Sequence, residues 1–147
     1  MQADFDLPIE LLITAIVILL VISALFSASE TAFTAAQKAR IHRLSVSGSR
    51  RAEMTERLIN DRESVLGTVL LGNNLVNILA SALATSMLIG LFGDAGVAYA
   101  TVIMTVLVVV FTEVLPKTFA ITQPERTALS VVLVMNGVIW VLRPMVA

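Results

Sequence analysis

The feature that most constrains this chain is an apolar run that acquires polar side chains before it ends. Residues 9–26 read IELLITAIVILLVISALF, and residues 26–33 continue as FSASETAF. About 20 apolar residues are enough for a helix to cross the roughly 30 Å hydrocarbon core of a bilayer. Inside that core each unpaired polar atom is costly. The hydroxyls and the carboxylate of FSASETAF are therefore expected to face protein groups, water or an ion rather than lipid.

Two further apolar runs, 65–92 and 97–115, are also long enough to cross a bilayer, and a fourth, 128–142, is short for a full crossing. Hydrophobic residues make up 57% of the chain and charged residues 14%, which is not the composition of a soluble domain. We predict a single all-α membrane domain over 1–147 that has three transmembrane helices and a C-terminal juxtamembrane helix. The predicted spans are 7–36, 64–92 and 97–122, and the juxtamembrane helix is 127–145.

The placement of positive charge predicts the orientation in the membrane. Seven of the ten Lys and Arg residues lie between Lys38 and Arg62, so the positive-inside rule puts this segment in the cytoplasm. The N-terminus, with Asp4 and Asp6, is then outside, and the C-terminus is cytoplasmic. Within 38–63 we predict a pair of short helices joined by a turn at Ser47-Gly48-Ser49. The expected location is the plasma or inner membrane, and the expected partner is the bilayer rather than nucleic acid.

Three polar clusters interrupt the three predicted spans. They are FSASETAF, GNNLVN at 72–77 and FTEVLPK at 111–117. At 1.5 Å per residue from the predicted cytoplasmic borders, Ser27, Asn73 and Glu113 each lie roughly 15 Å deep, near the bilayer midplane. Asn77 lies four residues after Asn73 and so shares its helix face. Three helices are thus predicted to bring oxygen-bearing side chains to one level.

The chemistry of these clusters favours a hard cation such as Mg²⁺. They supply hydroxyl, amide and carboxylate oxygens, whereas Zn²⁺ or Cu⁺ would favour His and Cys, and the chain has no Cys. Pro116 cannot donate to the carbonyl of Thr112, which is expected to leave a backbone oxygen free beside Glu113. An intramembrane carboxylate is by itself a reason to expect a functional site.

Structural readings of the same residues remain open. Ser27 belongs to a small-residue face with Ala24 and Ala28 that would suit helix packing. Asn73 and Asn77 would also serve as hydrogen bonds between helices, and Glu113 would pair with Lys117 one turn later. Glu30 is interpreted as a gate or an ion-pair partner, His42 as a surface residue, and Asn136-Gly137 as a weak additional candidate.

The motifs FSASETA, LLGNNLVNI and FTEVLPK, in this order, resemble the transmembrane domain of the CorC/CNNM (cyclin M) family of magnesium transporters. The resemblance implies a homodimer with three transmembrane helices and a juxtamembrane helix per protomer. It implies Mg²⁺ export coupled to Na⁺ entry. The ion ligands that it implies are Ser23, Ser27, Asn73, Asn77 and Glu113, and Glu30 and Asn74 also match its motifs. Thr112, through its backbone carbonyl, and Gly137 are lesser candidates from the residues themselves.

Members of that family normally continue into cytoplasmic CBS domains that bind nucleotides. The chain ends at Ala147, where those domains would begin, so we expect them, and with them any ATP binding, to be absent from it. Small residues on the second and third spans would permit close packing between protomers; they are Ala80, Ala84, Gly90 and Ala98. We predict no enzymatic activity, because no nucleophile with an adjacent base is apparent. The alternatives to a transporter are a membrane anchor or Mg²⁺ sensor, and a passive cation channel.

Overall fold

The computed structural model of the protein describes residues 8–146, without the side chains of residues 143, 145 and 146. The predicted start of the first span at residue 7, together with Asp4 and Asp6, lies outside the described residues. Within 8–146 the regular elements are all helical. They are α1 (Ile9–Ala35), α2 (Lys38–Val46), α3 (Arg50–Asn60), α4 (Arg62–Phe92), α5 (Gly96–Leu107), α6 (Leu115–Thr122) and α7 (Pro124–Val146).

The predicted all-α membrane fold is confirmed. Three helical stretches are long and apolar enough to cross a membrane: Ile9–Ala35, Arg62–Thr122 and Pro124–Leu142. The middle stretch has 61 residues and turns back at Gly93, so it contains two of the predicted spans. Apolar side chains on the outer faces, such as Val21, Val102 and Ile121, are more than 60% exposed. Such surfaces are costly in water and suit contact with lipid.

The hairpin between α4 and α5 depends on two glycines. Gly93 ends α4 with a φ of +68°, a conformation that residues with a Cβ rarely adopt. A short 3₁₀ turn, Gly93–Ala95, then leads into α5. A Cβ on Gly96 would lie 2.4 Å from the carbonyl carbon of Leu88, so only glycine lets the first turn of α5 pack on the backbone of α4. We call this side of the bundle the hairpin end.

The predicted pair of short helices between the first two spans is confirmed as α2 and α3. They are joined by a turn in which Gly48 has a φ of +102°. Ser49 caps α3, because its side chain accepts a hydrogen bond from the backbone N–H of Ala52 at 3.2 Å. Leu58 and Ile59 of α3 are buried against the bundle. We call this side of the bundle, which carries seven Lys and Arg residues, the basic end.

Helix α7 begins earlier than predicted and is longer. It has 23 residues, where the prediction placed a helix at 127–145, and it is long enough to cross a membrane. Its buried residues pack in one cluster with Phe33 of α1, Leu58 of α3 and Val65 of α4. All of these partners lie in the basic half of the bundle, so the packing of α7 agrees with the predicted place beside the basic end. The apolar composition of 128–142 made its length hard to judge, because periodicity does not mark where a buried helix begins.

A smaller core joins α1, α4 and α5 towards the hairpin end. It contains Ile16, Ala80, Ala84 and Met104, all of them buried. Because Ala80 and Ala84 are 0% and 3% exposed, they serve close packing within the chain and do not offer a surface to a second protomer. Gly90, by contrast, is exposed and has open space where a Cβ would be.

Candidate cation site

Three side-chain oxygens converge where α1 packs along α4. The hydroxyl oxygen of Ser23 lies 2.6 Å from the Oδ1 atom of Asn73 and 2.6 Å from the Oδ1 atom of Asn77. The amide nitrogen of Asn77 donates to Oδ1 of Asn73 over 3.4 Å. Ser23 is completely buried and Asn73 is 8% exposed, whereas Asn77 is partly exposed. We call these three residues the Ser23 cluster.

The Ser23 hydroxyl has two acceptors within reach and one hydrogen. A serine hydroxyl carries one hydrogen, and an amide oxygen can only accept. The Ser23 hydroxyl therefore cannot donate fully to both asparagines, although both oxygens lie at hydrogen-bond distance from it. Oxygen atoms held this close present their lone pairs to one region, which is the arrangement that a hard cation requires of neutral ligands.

Ser27, one helical turn from Ser23 on α1, adds an unsatisfied oxygen. Its side-chain oxygen is buried and has no hydrogen-bond partner, a condition shared among the described residues only by Thr127 on α7. Leaving a buried hydroxyl unpartnered costs about 1–3 kcal/mol. The Ser27 oxygen is thus available to a ligand, while the complete burial of the residue also agrees with the helix packing that the sequence offered as an alternative.

The close approach of α1 and α4 at this level depends on Gly72. A Cβ on Gly72 would lie 2.9 Å from Cζ of Phe26, which is nearer than real Cβ contacts allow. The ring of Phe26, itself buried, takes the place that a side chain would occupy. The glycine before Asn73 therefore sets a helix spacing at which the Ser23 hydroxyl reaches the asparagines.

The third polar cluster lies in a π-helical segment, Val108–Val114, between α5 and α6. The backbone N–H of Leu115 donates to the carbonyl of Val110, five residues earlier, instead of four. π segments inside α-helices are frequent at functional sites. In this register the donor that Pro116 lacks corresponds to the carbonyl of Phe111. The free carbonyl at Thr112 stays a prediction.

Thr112 is completely buried in this segment, and its hydroxyl donates to the carbonyl of Val108 at 2.7 Å. Its neighbour Glu113 is partly exposed and pairs with Lys117, the two charged atoms being 3.0 Å apart. Glu30 of α1 lies close enough to Lys117 to act on its charge. The structure thus contains the ion pair that the sequence offered as an alternative for Glu113, with Glu30 as a second carboxylate nearby.

The level of Glu113 along the bundle follows from the α4–α5 packing. Asn77 and Val109 line the same cavity between these helices. Helix α4 and the chain after Gly93 run antiparallel. Asn73, four residues before Asn77, therefore lies at about the same level as Glu113, four residues after Val109. The backbone of Glu113 therefore lies about level with the Ser23 cluster, and its carboxylate pairs with Lys117, one turn further along the chain.

Two of the lesser candidates lie elsewhere. Asn74 follows Asn73 directly, so it points about 100° away around α4, and it is exposed. Gly137 is exposed on α7, where it lines a different cavity of about 410 Å³ with Arg57 and Trp140. Neither residue is brought to the Ser23 cluster.

Hydroxyl groups that were not among the predicted site residues continue from the cluster along one face of α4. Asn77, Ser81 and Thr85 line a cavity between α4 and α5 together with Thr101 and Thr105. The signal was present in the sequence, because Asn73, Asn77, Ser81 and Thr85 recur every four residues and so share one face of a helix. Within the described residues no three His, Cys, Asp or Glu side chains converge on a possible metal position. Any cation held here would depend mainly on neutral oxygens.

Comparison with known proteins places the chain in a family. A family profile described as the cyclin M transmembrane N-terminal domain matches residues 14–147. The UPF0053 inner membrane protein YfjD of Escherichia coli K12 is 49% identical over 107 residues, which cover 73% of this chain and 25% of that protein. A UPF0053 protein of Haemophilus influenzae is 42% identical over 123 residues, covering 84% of this chain and 29% of that protein.

A more distant relative has a function in its name. The polyamine export protein of Haemophilus influenzae is 29% identical over 147 residues, covering 91% of this chain and 34% of that protein. The chain spans between a quarter and a third of the length of these relatives. Since the profile extends over nearly the whole chain and all three motifs lie within it, the chain belongs to the cyclin M family through its transmembrane N-terminal domain.

Proposed function

We propose that this domain transports a cation across the membrane, and that the cation is Mg²⁺, exported in exchange for Na⁺. The proposal rests on the geometry of the Ser23 cluster. The hydroxyl oxygen of Ser23 lies 2.6 Å from the amide oxygen of Asn73 and 2.6 Å from that of Asn77, and the hydroxyl has one hydrogen for both. The proposed ligands are Ser23, Ser27, Asn73, Asn77 and Glu113.

The ligand chemistry supports a weakly held ion. Mg²⁺ prefers oxygen ligands and usually keeps several of its waters, with one or two carboxylates in the site. Here the neutral oxygens come from α1 and α4, and the nearest carboxylate at that level, Glu113, is shared with Lys117. A cation bound by such a set can also leave it, which a transport site requires and a purely structural site does not.

The energetics of export require a coupling ion. The membrane potential favours entry of each positive charge by about 2.3 kcal/mol per 100 mV, so exporting a divalent cation works against twice that amount. We propose that Na⁺ entry supplies the driving force. The seven basic residues between Lys38 and Arg62 favour a cytoplasmic basic end, with the N-terminus outside and the C-terminus inside, in a bacterial inner membrane or plasma membrane.

The remaining properties of the assembly belong to the same proposal. We infer a homodimer in the bilayer, with no enzymatic activity, and nucleotide regulation only through CBS domains outside this domain. Gly90 and Ala98, both exposed near the hairpin end, are better placed for contact between protomers than the buried Ala80 and Ala84. Cross-linking in mild detergent that yields only monomer would contradict the homodimer.

A second candidate cargo is a linear polyamine, as the name of one relative suggests for that relative. The observation in its favour is the line of oxygens along α4. Residues four apart on a helix lie about 6 Å apart, so Asn77, Ser81 and Thr85 offer acceptors at intervals along an extended polycation. The compact Ser23 cluster suits a small ion better, and for that reason we place Mg²⁺ first.

Isothermal titration calorimetry and flux measurements test the proposal together. The purified protein is expected to bind Mg²⁺, and putrescine in excess is expected not to displace it. In proteoliposomes Mg²⁺ should move outward when Na⁺ is supplied on the opposite side and slow when the Na⁺ gradient is removed. Absence of flux would identify an anchor or sensor, flux indifferent to Na⁺ a passive channel, and displacement by putrescine a polyamine carrier.

A further inference from the structure

A cavity with a mainly apolar lining and five polar side chains continues from the Ser23 cluster towards the hairpin end. It lies between α4 and α5, has a volume of about 480 Å³, and is lined on its polar side by Asn77, Ser81, Thr85, Thr101 and Thr105. Ala100, Met104, Val108 and other apolar residues complete its walls. We call this cavity the α4–α5 groove.

The groove and the cluster share a residue. Asn77 lines the groove, and its Oδ1 atom is also 2.6 Å from the Ser23 hydroxyl. Beyond Asn77, the polar residues of α4 are Ser81 and Thr85, each one turn closer to Gly93. On the antiparallel α5, Thr101 is likewise one turn closer to Gly93 than Thr105. The oxygens therefore form a track that begins at the proposed ion site and ends at Thr85 and Thr101, about 12 Å short of Gly93.

The hydrogen bonds of the threonines determine which ligand the track suits. Thr85 donates to the carbonyl of Ser81 at 2.8 Å, Thr101 to that of Val97 at 2.8 Å, and Thr105 to that of Thr101 at 2.5 Å. Each hydroxyl hydrogen is thus directed into its own helix. What remains for the groove is the lone pairs of the oxygen, which accept from water or bind a cation and repel an anion.

Ordinary helix packing does not account for this arrangement. Threonine in a membrane helix commonly bonds to its own backbone, and a single instance would need no further explanation. Here five polar side chains from two helices line one open groove within a stretch of apolar sequence, and Thr101 and Thr105 are exposed in it. Polar groups at membrane depth are tolerated where they line a wet cavity.

We infer that the α4–α5 groove is the outer half of the cation path, through which the ion leaves the Ser23 cluster past Asn77 towards the hairpin end. This inference rests on the proposed transport function and adds the route. Ser81 and Thr105, on opposite walls, are the residues that contact the partly hydrated ion midway. The apolar positions of the same helices that face lipid take no part.

Thiol labelling tests whether water and ions enter the groove. The chain has no cysteine, so each single-cysteine variant reports one position only. Cysteines placed by Ser81→Cys and Thr101→Cys are expected to react with a membrane-impermeant thiol reagent added on the side of the Gly93–Ala95 turn, and Mg²⁺ is expected to slow the reaction. The matched control is Ile103→Cys, on α5 but outside the groove and 46% exposed, which faces lipid and should stay unreactive. Groove cysteines that react no faster than Ile103→Cys would overturn the inference.

Removal of one hydroxyl tests the route independently of the binding site. Thr105→Val keeps the shape of the side chain, so Mg²⁺ affinity by calorimetry should be unchanged while Mg²⁺ flux in proteoliposomes falls by about tenfold, equivalent to about 1.4 kcal/mol on the barrier. Thr105→Ser, which restores the hydroxyl, should recover the flux, and Val102→Ala on the lipid face should leave it unchanged. Wild-type flux in Thr105→Val would refute the route alone, whereas a wild-type protein that neither binds nor moves Mg²⁺ would refute the proposed function.

Discussion

The hydroxyl oxygen of Ser23 on α1 lies 2.6 Å from the side-chain oxygen of Asn73, fifty residues later on α4. This contact joins the second polar motif to Ser23, which lies one helical turn before Ser27 of FSASETAF, at the level where lipid would otherwise surround both helices. Because Asn77 approaches the same hydroxyl at the same distance, the contact is more than a single hydrogen bond between helices. It concentrates acceptor oxygens in a buried place, and the predictions below depend on that property.

Replacement of Asn73 by alanine is expected to weaken Mg²⁺ binding by at least about tenfold, the usual cost of losing a side chain that holds or supports a metal site. The loss of its hydrogen bond with Ser23 should cost the fold only about 0.5–1.5 kcal/mol, so the variant should still fold. Calorimetry in detergent measures the affinity. Asn74→Ala is the matched control, because it removes the same side chain from the adjacent, exposed position. Equal effects of the two variants would show that Asn73 is not a ligand.

Replacement of Gly72 by alanine is expected to destabilise the protein by about 1–3 kcal/mol, the range for an overpacked contact. The added methyl group would lie 2.9 Å from the ring of Phe26, so α1 and α4 must separate or the ring must move. Gly137→Ala, on α7, has open space around the added group and should be neutral or slightly stabilising. Thermal unfolding in detergent compares the two. If Phe26→Leu restores stability to Gly72→Ala, the ring is the source of the strain.

The sequence was a better guide to which residues come together than to the contacts that they make. Apolar length, basic residues and the Ser-Gly-Ser turn were enough for the order of helices, because each depends on local physical chemistry. Depth counting placed Ser27 level with Asn73, and the structure brings Ser23 into contact instead. A difference of one helical turn of about 5.4 Å lies within the uncertainty of where each helix enters the membrane, and the Phe26–Gly72 contact that sets the register has no local signature.

Two features could not be read from local pattern at all. The π segment at Val108–Val114 depends on how Pro116 is accommodated within a packed helix, and proline alone predicts only a break. The pairing of Glu113 with Lys117 instead of with the cluster was one of two readings that helix spacing allowed. Choosing between them requires the positions of α1 and α4, which are determined by packing over the whole bundle.

Opposite effects are expected from the two members of the Glu113–Lys117 pair. Glu113→Gln removes the carboxylate and should weaken Mg²⁺ binding by at least about tenfold. Lys117→Gln removes a competitor for that carboxylate, and should tighten binding by up to about fivefold, because partly exposed ion pairs contribute about 0.2–1 kcal/mol. Titration calorimetry at one fixed ionic strength measures both. Weaker binding in Lys117→Gln would mean that the ion pair positions Glu113 for the metal instead of withholding it.

The direction of transport can be tested through the position of Glu30, which lies partly buried on α1 near Lys117 in the basic half of the bundle. The polar groups of FSASETAF, the π segment and the Pro116 break all lie between the Ser23 cluster and the basic end or level with it. We therefore expect a cavity that opens to the cytoplasm in the resting state, as loading of an exporter requires.

In oriented vesicles Glu30→Cys should react with an impermeant thiol reagent from the cytoplasmic side, as should Gln37→Cys at the exposed start of α2. Asp94→Cys, in the hairpin turn, should react only from outside. Labelling of Glu30→Cys only from the side that labels Asp94→Cys would mean that the cavity opens outward, and export would have to be abandoned.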